Sequence, residues 1–136
     1  MHLPDAQVHI ALEALWRSGG TVYPGLATTV PDDHCSPGSV TEVVADAYDR
    51  VALATTAAGF AAAVDRAIET IVTTTWPTPD LVEDWGVVLS IPLYDTATKG
   101  TGVPVGAVHL TEDGVYVQAG GSAPSAPPGL IRFEAP

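Results

Sequence analysis

The spacing of apolar positions changes once along the chain, near Gly20. Before it, Val8, Leu12, Leu15 and Trp16 recur at helical spacing with Ala11 among them, while Asp5, Gln7, His9, Glu13 and Arg17 take the other side. Leu3-Pro4-Asp5 supplies a start, because proline suits a first turn and a carboxylate complements the positive end of the helix dipole. Ser18-Gly19-Gly20 supplies the stop, since glycine can adopt a left-handed cap. The pattern predicts a short amphipathic helix whose Leu12, Leu15 and Trp16 side is covered by a sheet or by a neighbouring subunit.

After Gly20 the chain reads as short β segments cut by turn residues. Residues 21–29 are β-prone but carry Pro24 and Gly25, which marks an interrupted or edge strand. Residues 31–39 form a loop by composition; 41–44 and 48–55 are short strand candidates. Residues 57–70 are ambiguous, with helix-favouring alanines, but the β-branched run that follows places a strand at about 67–76. Residues 85–94 form the next strand, demoted at one end to an edge or a bulge by Pro92. Residues 103–110 and 114–118 look like a hairpin around Glu112-Asp113-Gly114, because Asp-Gly is a strong tight-turn signal. A final strand spans 130–134. The expected fold is mainly β: an antiparallel β-sandwich of about seven short strands with an N-terminal amphipathic α-helix. It is expected to be one domain over 1–136, with the helix and its cap over 1–20 and the sandwich over 21–136.

Composition narrows what this fold can do. The 136 residues are 46% hydrophobic and 15% charged, which favours a packed chain over a disordered one. No apolar run approaches the roughly 20 residues of a membrane helix. No signal peptide is visible at the start, where Asp5 stands and a basic region is lacking. The net charge is −11, with Lys99 as the one lysine beside four arginines. Such a surface repels phosphate backbones and anionic membranes, so neither nucleic acid nor membrane insertion is expected. Cys35 is the single cysteine, which excludes an intrachain disulfide.

Several segments, in order, carry a resemblance. They are Tyr23-Pro24-Gly25-Leu26; Thr41-Glu42-Val43 followed by Tyr48-Asp49-Arg50-Val51-Ala52; Trp76-Pro77-Thr78-Pro79; Asp84-Trp85-Gly86-Val87-Val88; Leu93-Tyr94-Asp95-Thr96-Ala97; and Gly106-Ala107-Val108-His109-Leu110. Together they resemble a widespread family of small virion proteins of tailed bacteriophages, over nearly the whole chain. Each motif is only a few common residues, so the order and spacing carry the signal. Departures are Pro24, Pro92, Trp76 in place of another aromatic, and Lys99-Gly100-Thr101-Gly102 where a Gly-Gly turn is usual. The resemblance implies a β-rich minor tail protein, of the tail tip or associated with a fibre, with capsid decoration as the alternative within the class. It brings no catalytic residues.

The residues themselves offer little chemistry. Asp32-Asp33-His34-Cys35 is the one cluster with ligand-type groups, but four consecutive residues do not readily converge on one ion, and no second pair follows at a zinc spacing. A solvated loop is the favoured reading, as it is for Asp80, Glu83 and Asp84. His34 beside Cys35 does not make a thiol nucleophile, since adjacent side chains point apart. Trp16, Trp76 and Trp85 read as packing residues, with sugar stacking as the alternative. Tyr48 and Arg50, two apart on a strand, share a face.

No enzyme, cofactor or metal is expected. Leu12, Leu15, Trp16, Tyr48, Arg50, Trp76 and Trp85 are candidates for packing or for an interface. The expected partners are further copies of the chain, as a trimer or a ring, and other virion proteins. A carbohydrate- or receptor-binding tail module that takes a host surface glycan is the reading from a different class. The expected location is the virion, the tail favoured over the capsid.

Overall fold

The structure is a computed structural model that describes residues 4–111 and 113–135. Leu3 in the expected helix start, Glu112 in the expected turn and His2 lie outside the described residues. The chain is mainly β, and its described residues form one N-terminal α-helix, α1 (Asp5–Trp16), and ten short strands. These are β1 (Thr21–Pro24), β2 (Leu53–Ala54), β3 (Ala67–Glu69), β4 (Thr74–Thr75), β5 (Gly86–Val88), β6 (Ser90–Tyr94), β7 (Gly106–His109), β8 (Val115–Val117), β9 (Ser125–Ala126) and β10 (Arg132–Glu134). They group into small sheets in which β1 and β6, β6 and β7, β5 and β8, and β3 and β10 pair antiparallel. The count exceeds the seven strands read from sequence because several long β-prone runs are broken into two- or three-residue pieces.

The residues cluster into two compact units, each assembled from separated stretches of chain. Unit 1 comprises residues 1–21, 53–74 and 126–136. In it α1 buries Val8, Leu12 and Trp16, which are four residues apart and so lie in one line down the helix. The Trp16 ring stacks on Phe133 with centroids 4.4 Å apart and planes 1° from parallel, and it meets Phe60 at 5.5 Å. Strands β3 and β10 pair with Ile68 opposite Phe133. Leu15 stays exposed, because it falls off the Val8–Leu12–Trp16 line. Gly19 and Gly20 take the positive φ angles expected of a stop, and their backbone bonds to Thr55, with Gly19 N donating to Thr55 O (2.9 Å) and Thr55 N to Gly20 O (3.1 Å).

Unit 2 comprises residues 22–52 and 75–125. Within it β6 lies between β1 and β7, with Tyr94 opposite Tyr23 and Ile91 opposite Val108. Pro92 therefore sits inside a sheet, where an edge or a bulge was expected. The chain tolerates it because Pro92 faces Gly25, just past the end of β1. Gly25 N donates to Pro92 O (2.8 Å), and only the reciprocal bond, for which proline has no N–H, is lost.

The expected hairpin between 103–110 and 114–118 does not form. Strand β7 pairs with β6, and β8 pairs with β5. Residues 86–94 thus make one arm and 106–117 the other, and the true reversal is the loop through Lys99–Gly102. The Asp-Gly step is a jog within the second arm, where Gly114 N donates to Thr111 O (2.9 Å). Gly114 has φ +63°, and a Cβ there would lie 2.5 Å from Val88 O, so glycine is required at the jog.

Candidate functional site

The segments that carried the resemblance all lie in unit 2, and several of them meet there in one buried polar knot. Its centre is Arg50, whose side chain is fully buried. Arg50 Nε donates to Glu42 Oε2 (2.8 Å) and Nη2 to Glu42 Oε1 (2.9 Å), a two-bond fork. Nη1 donates to Thr96 O (2.8 Å) and Nη2 also to Thr101 O (2.7 Å). The guanidinium carbon lies 3.4 Å from the centre of the Tyr94 ring.

Glu42 is equally committed. Besides the fork, Oε2 accepts from Tyr48 Oη (2.6 Å) and Oε1 from Gly100 N (2.7 Å). Tyr48 Oη in turn accepts from Leu26 N (3.0 Å). Lys99 Nζ donates to the carbonyls of Ala45 and Asp46 at 3.1 Å each, and to that of Tyr48. Together these bonds fasten the Thr96–Thr101 reversal to the 42–50 segment.

The neighbourhood is shaped for this knot. A Cβ on Gly25 would stand 2.7 Å from Tyr48 Oη and 2.9 Å from Glu42 Oε2, so glycine in Tyr23-Pro24-Gly25-Leu26 is what lets the polar groups close up. Trp76 Nε1 donates to Pro24 O (3.1 Å), which explains a tryptophan at that motif position. The Trp85 ring meets Tyr48 edge-on, with centroids 5.5 Å apart.

The electrostatics are those of a clamp. Burial works to raise the Glu42 carboxyl, but hydrogen bonds from Arg50, Tyr48 and Gly100, with the Arg50 charge, win and hold it below its ordinary value of 4.5. Burial and the Glu42 carboxylate push the Tyr48 hydroxyl far up. Burial and the same carboxylate push Tyr94 up to about 12 despite Arg50. A cavity of about 590 Å³ lies alongside, lined by Glu42, Arg50, Tyr94, Lys99 and Gly100 among others. Its polar groups already serve one another, which leaves it neither a poised base nor a nucleophile.

The remaining candidates lie elsewhere. Asp32 Oδ1 accepts from the backbone N of His34 (3.1 Å) and of Ser36 (2.9 Å), so the Asp32–Cys35 cluster is an Asx turn. Burial and the charge of Asp32 raise the Cys35 thiol. Among the described residues no group of three His, Cys, Asp or Glu side chains could hold a metal ion, and no helix is long and apolar enough to cross a membrane. Trp16, Trp76 and Trp85 are all buried, which withdraws them as sugar platforms.

Tyr48 and Arg50 meet through Glu42. They do not share a strand face, because residues 45–51 run as a turn and irregular backbone. Sequence reasoning missed Glu42 and Lys99. A signal was present: an arginine to be buried needs a carboxylate, and Glu42 stands within the same motif.

A family model described as Podophage GP4 fiber I protein gp80 matches residues 9–124. That span contains every residue of the knot. No curated protein and no solved structure matches the chain.

Proposed function

The chain belongs to the Gp80 family, podophage GP4 fiber I protein gp80, and from that premise we propose that this tail fibre protein acts as a symmetric homo-oligomer with no turnover chemistry of its own. The family is a fibre structural protein, not an enzyme, and its place is the virion tail fibre. All 136 residues would serve as one fibre module, joined to other virion proteins and independent of cofactor, metal, nucleic acid and membrane.

The observation that carries the self-association is α1. The helix buries Val8, Leu12 and Trp16, yet Ile10 and Leu15 on its remaining surface are 61% and 67% exposed. A helix that is apolar on more than one side calls for a second cover. Unit 1 has five acidic and three basic residues, so a contact between copies there meets little repulsion. Rotational symmetry repeats one such patch into a closed trimer or ring. Sedimentation at micromolar concentration tests this. Wild type should run as a discrete oligomer, and Ile10→Glu with Leu15→Glu should run as a folded monomer. A wild-type chain that sediments as a monomer would refute self-association.

A further inference from the structure

We propose that the exposed face and free edge of the β5–β8 ribbon in unit 2 dock an extended, basic and apolar segment of a different virion protein. Val87 and Tyr116 are directly opposite in register, and both are exposed although they belong to a paired strand face. Strand β8 pairs with β5 alone among the described residues, so its other edge presents unpaired backbone groups. A groove of about 420 Å³ runs along that edge, between residues 115–118 and residues 121–124. An extended chain fits such an edge by adding a strand, with alternate side chains reaching the Val87–Tyr116 face.

The rim supplies the partner's chemistry. Leu81 and Val82 are 87% and 84% exposed at the tip of a turn held by Asp80, whose Oδ1 accepts from the N of Val82 and of Glu83 at 2.9 Å. The turn is tied to the end of β8. Gly120 N donates to Asp80 O (2.6 Å), Ala119 N to Asp84 Oδ1 (2.6 Å) and Tyr116 Oη to Asp84 Oδ2 (2.9 Å). Two adjacent apolar side chains, Leu81 and Val82, are therefore flanked by Asp80, Glu83 and Asp84 at one end of the ribbon.

A second copy is a poor occupant. Unit 2 holds eleven acidic residues against two basic ones, a net −9, and both of its cations are already committed, Arg50 to Glu42 and Lys99 to backbone carbonyls. Arg17, Arg66 and Arg132 are already paired with Glu13, Asp5, Glu69 and Glu134. The charge that matches this rim has to come from another chain.

The inference rests on the chain's place in the fibre, not on its self-association. The test is photo-crosslinking in intact particles, with benzoylphenylalanine in place of Val87 and, as a control, of exposed Val30. The Val87 probe should join one other virion protein, at a peptide that mass spectrometry reads as carrying lysine or arginine between apolar residues. Asp80→Asn with Glu83→Gln, which removes two charges while keeping the single accepting oxygen that each side chain uses toward backbone N–H groups, should lower the yield about five- to tenfold. A crosslink to another copy of this chain, to a peptide without basic residues, to a host glycan, or to nothing while the fibre is present would overturn the inference. Particles that lack the chain altogether would instead overturn its fibre placement.

Discussion

The two units place their charges in opposite ways. Unit 1 keeps Arg17, Arg66 and Arg132 in ion pairs that are at least partly exposed, and relies on Trp16, Phe60 and Phe133 for its interior. Unit 2 buries Arg50 with Glu42, spends the half-buried Lys99 on backbone carbonyls, and leaves most of its described carboxylates exposed. Exposed pairs contribute about 0–1 kcal/mol each, whereas a buried pair that loses one member costs about 3–5 kcal/mol. The contrast separates two designs: an aromatic interior indifferent to charge, and a polar clamp that is costly to disturb and turns an acidic face outward.

The largest expected effect lies in the clamp. Arg50→Met should destabilise the chain by about 3–5 kcal/mol, because it strands the Glu42 carboxylate among buried groups. Arg50→Lys should recover little, since an ammonium cannot form the fork to Glu42 while reaching two loop carbonyls. Denaturant titration measures both, and a lysine variant as stable as wild type would break the comparison.

Next comes the aromatic interior. Trp16→Ala should cost about 3–5 kcal/mol by opening a cavity beside Phe133. Leu12→Asp should leave the chain insoluble or unable to assemble. A soluble, assembly-competent Leu12→Asp protein would show that the buried line of α1 is dispensable.

Tyr48→Phe is a finer probe. It removes the acceptor for Leu26 N and one donor to Glu42, and should cost about 1–3 kcal/mol. Acid sharpens the same point. The Glu42 carboxyl is held below 4.5 when folded, so its contribution is fully present above that pH and fades as pH falls through the lowered value. The gap in melting temperature between wild type and Glu42→Gln should therefore narrow as pH falls below 4.5. A constant gap from pH 7 to pH 3 would contradict the clamp. Smallest of all, Arg132→Ala should change stability by less than about 1 kcal/mol, because its pairs with Glu69 and Glu134 are open to water.

Much of this was legible in the order of residues. Helical spacing of Val8, Leu12 and Trp16, then glycines, determined a helix that ends before Gly20. Short β-branched runs between prolines and glycines determined a mainly β chain, and the ordered motifs pointed to a phage tail protein. These are local properties, set by backbone preference and by which side chains recur on one side of an element. Strand partners were not local. The Asp113-Gly114 signal is the same whether the chain reverses or jogs, and only the pairing of β5–β6 with both β7 and β8 decided it. The knot was decided in the same way. Glu42, Tyr48, Arg50, Tyr94 and Lys99 are ordinary polar residues in sequence, and their meaning lies in convergence across up to 57 positions, where the burial of Arg50 and Tyr48 requires partners that only the fold supplies.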